Sequence, residues 1–307
     1  MQLYRSPTSI HAASGTRVVA IGVFDGLHIG HQKLIQETQS LAAARGARSM
    51  VLTFEPMPRE HFSPENPPAR LTSFRERYDY LCAAGIDELC CLRFSSVQQL
   101  SSDAFIDSLL VGQLMANAVV VGDDFKFGAG REGTVDDLRE ASRLRDFDVR
   151  QIPPVAIDGM RVSSTAVREA LTNGDFATAA DMLGRPYEIS GKVVRGLSLG
   201  RKLGFPTANI ALNRRVAAVM GIFAVRVSGI KSRSLDGVAS LGVRPTVGGG
   251  KPVLEVHIFD FDEDIYGQRL SVQFVAKLRD EQKFDDLQTM QQQMERDAVA
   301  ARAALAG

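Results

Sequence analysis

Between Arg17 and Ile152 short apolar runs recur, VVAIGVF, ARSMVLTF, DELCCLRF, NAVVVG and FDVRQI, with longer stretches of helical texture between them. This alternation constrains the chain more than any other feature. A continuous apolar run reads as a strand buried on both faces, and a helix between successive strands returns the chain to the same end, so the pattern dictates a parallel sheet covered on both sides. One intervening segment carries a helical stripe of Leu34, Ile35, Thr38, Leu41 and Ala42. Ligands of such sheets bind beyond the carboxyl ends of the strands, so the chemistry belongs in the loops that follow them. Helical segments over about 164–171 and 176–183 close this half.

Beyond Tyr187 the texture changes. EISGKVV, GIFAVRVSG, LDGVASLGV, PVLEVHIFDF and RLSVQFVAKL are strand-like runs joined by turns rich in Gly, Pro or Asp, which predicts a small antiparallel barrel. A last helix is expected from Asp285, read as its N-cap, with Leu287, Met290, Met294, Ala298, Ala301 and Leu305 on one side to pack on the barrel. The fold class expected is therefore α/β with a Rossmann-like parallel sheet, followed by the barrel and its helix. GRPY marks the boundary, which gives domains over 1–184 and 185–307; the length of 307 residues agrees with two domains of about 150 each.

Lys plus Arg number 36, as do Asp plus Glu, so no global field draws in nucleic acid or an acidic membrane. The longest apolar run, Val18 to Phe24, is far short of the roughly 20 residues of a spanning helix, and the N-terminal MQLYRSPTSIH lacks an apolar stretch of signal-peptide length. The expected location is cytoplasmic. Cys82, Cys90 and Cys91 are too few for a disulfide framework and read as buried thiols.

GVFDGLHIGH, Gly22 to His31, follows the first long apolar run and opens the first long helix. A helix N-terminus offers unsatisfied amide donors and partial positive charge, and His28 and His31, three apart, share one face of the first turn. Gly30 between them lets a ligand approach the backbone. The segment reads as a triphosphate cradle, with two surface histidines on a capped helix as the plainer alternative. Zinc would need a third ligand, and His11, His61 and His257 stand at no telling spacing. RVSSTAVREAL offers Ser164 or Thr165 as a cap and Arg168 one turn inside, so hydroxyls, amides and a guanidinium can converge on one polyanion. HxGH followed by SSTxxR resembles the nucleotidylyltransferase superfamily, in which both motifs clasp the phosphates of a nucleoside triphosphate.

Gly128, Gly130 and Gly133 spell GxGxxG, but Asp123 to Phe127 separate them from the preceding strand, so a dinucleotide fingerprint is rejected. Phe125 and Phe127, beside Asp124, can meet a flat ring or anchor their own loop. In the second half SGKVVRGLSLGRKLGFPTANI suggests phosphate binding. Gly191 and Gly196 have GxxxxG spacing, yet Leu197 and Ser198 stand where a P-loop needs Lys and a hydroxyl neighbour. Thr207 and Asn209 of PTAN are hard oxygen ligands suited to magnesium. Along LEVHIFDF, Leu254, Val256 and Ile258 face one way and Glu255 the other, where it can enter the barrel mouth and take a proton from a substrate hydroxyl. Asp260, Asp262 and Asp264 imitate a calcium loop, but Ile265 and Ser271 stand where its Gly and Glu belong, so a hairpin turn is expected.

The ordered set GVFDGLHIGH, TFEPMPRE, VGDDFKFG, RVSSTAVR, GRKLGFPTANI, RPTVGGG, LEVH, IYGQRL and LRDEQKF resembles the prokaryotic bifunctional riboflavin kinase and FMN adenylyltransferase family nearly end to end. The resemblance implies an N-terminal module that transfers AMP from ATP to FMN and a barrel that phosphorylates riboflavin. It implies ATP contacts at Phe24, Asp25, Gly26, Gly30, Ser164 and Thr165, with His28, His31 and Arg168 catalytic and Asp124, Phe125 and Phe127 near the flavin. In the barrel it implies ATP contacts at Gly191, Gly196, Gly200, Thr207 and Asn209, the last two with Mg2+, Glu255 as the catalytic carboxylate and Arg279 on the flavin side. Riboflavin, FMN and ATP are the expected partners, and oligomeric state is left open. Val23, Met220 and Ser240 depart from residues common in the family, without removing a group named above.

Overall fold

Strand formation in the first half follows the burial pattern of its apolar runs. The computed structural model describes residues 1–10, 15–196, 204–230, 233–244 and 251–307. By internal contacts these form two units, one of residues 1–68 and 74–162, the other of 69–73 and 163–307.

In the first unit β1 (Gln2–Tyr4), β2 (Arg17–Ile21), β3 (Arg48–Glu55), β4 (Glu88–Arg93), β5 (Ala116–Gly122) and β6 (Asp148–Ile152) form a six-stranded sheet in the order β1-β4-β3-β2-β5-β6. Every ladder is parallel. Alternate residues of β2 serve opposite layers. Val19 and Ile21 join a core with Met50, Leu52 and Val119, while Val18 and Ala20 join another with Val51, Val120 and the stripe residues Leu34, Ile35 and Ala42. That stripe lies on α1 (Ile29–Arg45), which stops at Gly46, whose left-handed φ of 60° closes the helix. Besides short 3-10 turns, the other helices among the described residues of this unit are α2 (Pro58–Phe62), α3 (Phe74–Ala83), α4 (Ser102–Ala104, running into a π-helical stretch over Phe105–Gln113) and α5 (Val135–Leu144). A two-stranded ribbon of β7 (Ala156–Ile157) and β8 (Met160–Arg161) ends the unit. Chain order runs from β2 outward through β3 and β4, then resumes at β5 on the other side of β2, so the sheet's switch point lies where β2 and β5 end.

The second unit begins with α6 (Ser164–Thr172) and α7 (Phe176–Leu183). Then β9 (Glu188–Val194), β10 (Ala208–Ile210), β11 (Gly221–Ser228), β12 (Leu235–Arg244), β13 (Lys251–Ile258) and β14 (Arg269–Arg279) form a closed barrel in the order β10-β13-β12-β11-β14-β9. Its ladders are antiparallel. Leu254, Val256, Val225, Val272 and Phe274 are among its buried residues. The ring of Phe176 on α7 meets Phe223 edge-on at 5.9 Å and stacks on Phe274 at 6.1 Å, so this helix shares the barrel's core.

The last helix, α8 (Leu287–Leu305), is capped by Asp286 rather than Asp285, because the Asp286 carboxylate accepts from the Thr289 amide at 2.7 Å. Its expected apolar side is buried only toward the C-terminus. Ala301 and Leu305 pack with Ala224 and Phe259, whereas Leu287 is 57% exposed. Cys90 and Cys91 are buried as expected on β4, but Cys82 on α3 is exposed. Four short strands escaped the sequence reading, β1, β7, β8 and β10.

Candidate functional sites

The strand that the apolar run VVAIGVF predicts ends at Ile21, and Gly22 to Leu27 form a tight loop at the switch point. Phe24 and Leu27 take positive φ of 54° and 43°, and Gly26 takes 81°. Two non-glycine residues in this sparsely populated region are costly, and a loop holds them only where its surroundings over-determine it. Those surroundings are visible. Phe24, Asp25 and Leu27 are buried at 0%, 1% and 3% exposure, and the Val23 carbonyl accepts from Arg77 at 2.8 Å and from the Thr53 hydroxyl at 3.2 Å. Arg77 is fully buried and also pairs with Glu55. Phe24 and Asp25 therefore shape this loop from inside it.

His28 caps α1. Its Nδ1 accepts from the His31 amide at 3.3 Å, so Nε2 is the ring nitrogen that carries a proton. The His28 and His31 rings stack at 3.7 Å. Gly30 makes this possible, since a Cβ there would lie 3.1 Å from His28 Nδ1. Burial first, then His28 and Arg77 nearby, hold the His31 pKa well below the usual imidazole value, so His31 is neutral at pH 7. Its Nδ1 is buried with no hydrogen-bond partner among the described residues. The two stacked rings thus stand at the positive end of α1, where unsatisfied amides favour an anion.

On the other side of the switch point, after β5, Asp124 is exposed and pairs with Arg161 at 3.3 Å, while Asp123 pairs with the same arginine at 2.8 Å. Phe125 stacks on Phe127 at 5.6 Å. Phe127 is 5% exposed and sits in the core with Phe105, bridged to Gly133, so its ring anchors the loop from inside. Gly128 to Gly133 thus close a compact loop. Near the ends of β3 and β4, the sequence reading missed an aromatic group of His61, Phe62 and Phe94, in which Phe62 is 67% exposed.

In the second unit α6 is capped by Ser163, whose hydroxyl accepts from Ala166 N at 3.1 Å. Ser164 and Thr165 are therefore not the cap but lie in the first turn. Arg168 follows one turn on, its Nε donating to the Ala69 carbonyl at 2.6 Å.

Along the barrel wall, backbone register sets a row of residues side by side. Asn209 lies opposite Glu255, Glu255 opposite Ser240, Ser240 opposite Ile222 and Ile222 opposite Arg279. Directly opposed residues have Cβ atoms about 5 Å apart, so the Asn209 amide and Glu255 carboxylate share one patch. Leu254, Val256 and Ile258 take the buried face, and the half-buried Glu255 stands on the opposite face of β13. Thr207 is half-buried just before β10. His257 Nδ1 is 2.9 Å from the Pro206 carbonyl and its ring meets Phe205, which ties the segment carrying Thr207 to β13. Gly196 lies against the Asn209 amide, where a Cβ would clash. Gly191 has a different role, since a Cβ there would lie 2.6 Å from Ile210 Cγ2 as β10 passes. Arg279 is bound to Asp297 of α8 through two hydrogen bonds of 2.8 and 2.6 Å, so its guanidinium ties this helix to β14. Gly200 lies outside the described residues. Among those described, no group of three or more His, Cys, Asp and Glu side chains is placed to hold a metal.

Comparison with known proteins finds two families in tandem. The FAD synthetase family matches residues 10–166 and the riboflavin kinase family residues 183–305. A bifunctional riboflavin kinase/FMN adenylyltransferase of Escherichia coli (strain K12) is 44% identical over 286 residues, covering 93% of this chain and 91% of that one. Its counterpart in Pseudomonas fluorescens is 44% identical over 305 residues, covering 99% and 97%. A crystal structure described as a macrolide-efflux protein from Streptococcus pneumoniae superposes with a TM-score of 0.78 at 30% identity over 98% of each chain. No helix among the described residues here is long and apolar enough to cross a membrane. Two family matches in tandem, and relatives aligned along nearly the whole length, show that the chain belongs to the bifunctional riboflavin kinase/FMN adenylyltransferase family.

Proposed function

We propose that this chain makes FAD from riboflavin in two ATP-dependent transfers, with phosphorylation assigned to residues 185–307 and adenylylation to 1–184. The observation that carries the reading is the presence of two separate sets of phosphate-directed groups, the stacked histidines capping α1 and the Asn209–Glu255 patch on the barrel.

In the first transfer Glu255 accepts the proton of riboflavin's terminal ribityl hydroxyl. The freed oxygen forms a bond to the γ-phosphorus of ATP, the bond from that phosphorus to the bridging oxygen breaks, and ADP leaves. Asn209 offers a hard oxygen donor opposite Glu255, and Thr207, two residues before it, offers another, donor types that fit Mg2+. When bound, the ion neutralises charge on the ATP phosphates.

In the second transfer an FMN phosphate oxygen attacks the α-phosphorus of ATP and pyrophosphate departs. His28 donates from Nε2 to the phosphates, with the amides of the first turn of α1 behind it. Ser164, Thr165 and Arg168 receive the leaving pyrophosphate, an assignment that rests on the order of the motifs. Positioning and charge stabilisation suffice, and no covalent intermediate is needed. Asp124 and Phe125 are assigned to the flavin side, and Phe62 adds an exposed ring at the strand ends. The location proposed for both ATP-dependent transfers is the cytoplasm.

Chromatography of products tests this reading. Given riboflavin, ATP and magnesium, the protein is expected to yield FMN and then FAD. His28→Ala is expected to lower FAD formation about 100-fold or more while sparing FMN, and Glu255→Ala to do the converse. Loss of both products in either folded variant would overturn the assignment of separate sites.

A further inference from the structure

The short segment Ala69–Ser73 lies between α2 and α3 in sequence, yet it groups by contact with the second unit. Leu71 is fully buried, and Thr72 and Ser73 are 3% and 4% exposed. The segment is gripped by the stretch between β10 and β11. Arg70 N donates to the Val216 carbonyl at 3.2 Å, and Arg70 forms a parallel bridge with Ala217. Arg214, 8% exposed, donates through Nη1 to the carbonyls of Arg70 and Leu71 at 3.2 and 3.3 Å. The same nitrogen donates to the Tyr187 hydroxyl, also at 3.2 Å. The residue just before these two carbonyls is Ala69, whose own carbonyl receives Arg168 Nε at 2.6 Å.

We infer that Arg214, within the stretch matching the riboflavin kinase family, is a positioning residue for Arg168 in the adenylyl transfer. The inference rests on the role proposed above for Arg168. A guanidinium is planar, so an anchored Nε fixes where the two η-nitrogens point, and a small misplacement of such a group costs much of its effect on a transition state. Arg214 clamps the peptide that carries the anchor. A residue of the kinase half thereby sets the aim of a residue of the adenylyltransferase half, without touching either substrate.

The test is a double-mutant cycle on the full chain, read as kcat/KM for ATP in FMN adenylylation. Arg214→Ala is expected to lower this value about tenfold in the otherwise unchanged protein and by less than about twofold in an Arg168→Ala background. Riboflavin phosphorylation, measured in the same preparations, is expected to change by less than about twofold. An equal loss from Arg214→Ala in both backgrounds, or a parallel loss of kinase activity, would overturn the inference. If far-ultraviolet circular dichroism shows that Arg214→Ala does not fold, Tyr187→Phe and Arg214→Lys enter the same cycle. Each removes or weakens one grip and must show the same background dependence. An Arg168→Ala change without effect on adenylylation would instead contradict the role proposed for Arg168, a result distinct from additivity between the two positions.

Discussion

At the scale of the residue, His31 is the group whose ionisation the fold controls most plainly. Its folded-state pKa is lowered, so below about pH 6.5 the unfolded chain binds a proton that the folded protein resists. Stability from this source is fully present above the unfolded value and is lost as pH falls toward the folded one. Thermal unfolding at pH 7 and pH 5 checks this. His31→Asn should show a smaller drop in Tm across that interval than the parent, and parallel drops would contradict the assignment. Gly30 separates stability from chemistry in another way. In Gly30→Ala the new Cβ crowds His28 Nδ1 at 3.1 Å, while alanine favours the helix by about 1 kcal/mol. Net stability should change by less than about 1 kcal/mol in chemical denaturation, with FAD formation down about tenfold. The two histidines were legible because their spacing alone puts them on one turn. Arg77 was not, because the apolar positions Phe74 and Leu81 of α3 draw attention away from the charged residue between them, which shares their buried face. A charge at a stripe position was the available signal.

Elements were legible in proportion to their length and periodicity. The five long strands of the sheet announced themselves as apolar runs, whereas β1 and β10, of three residues each, are too short to show any pattern. The reading of α8 erred in another way, since a helix can carry an apolar stripe longer than the barrel wall it meets, as the exposed Leu287 shows. Two element-scale consequences can be measured. Arg77 holds the Val23 carbonyl and Glu55 at once, so Arg77→Met should destabilise by about 3 kcal/mol in urea denaturation, since it strands a partly buried carboxylate. Folded Arg77→Met should also lose FAD formation while keeping FMN formation. Phe176 joins α7 to the barrel through Phe223 and Phe274, so Phe176→Ala should cost about 3–5 kcal/mol, and a loss under about 1 kcal/mol would show that the helix is not needed there.

For the whole molecule, zero formal net charge gives no global field for anions, so the two phosphate sites proposed above act locally. The change of texture near Tyr187 made two folds legible. The contact boundary lies earlier, between Val162 and Ser163, because aromatic contacts that no periodicity reveals bind α7 to the barrel. The segment at 69–73 was invisible for the same reason, being defined by a distant arginine. The measurement that bears most directly on the account is complementation by mixing. His28→Ala alone should stop at FMN, and Glu255→Ala alone should leave riboflavin unchanged while still converting added FMN to FAD. Combined in one vessel with riboflavin, ATP and magnesium, the two variants should form FAD. A mixture that forms none, although each variant keeps its single activity, would contradict two independently working sites.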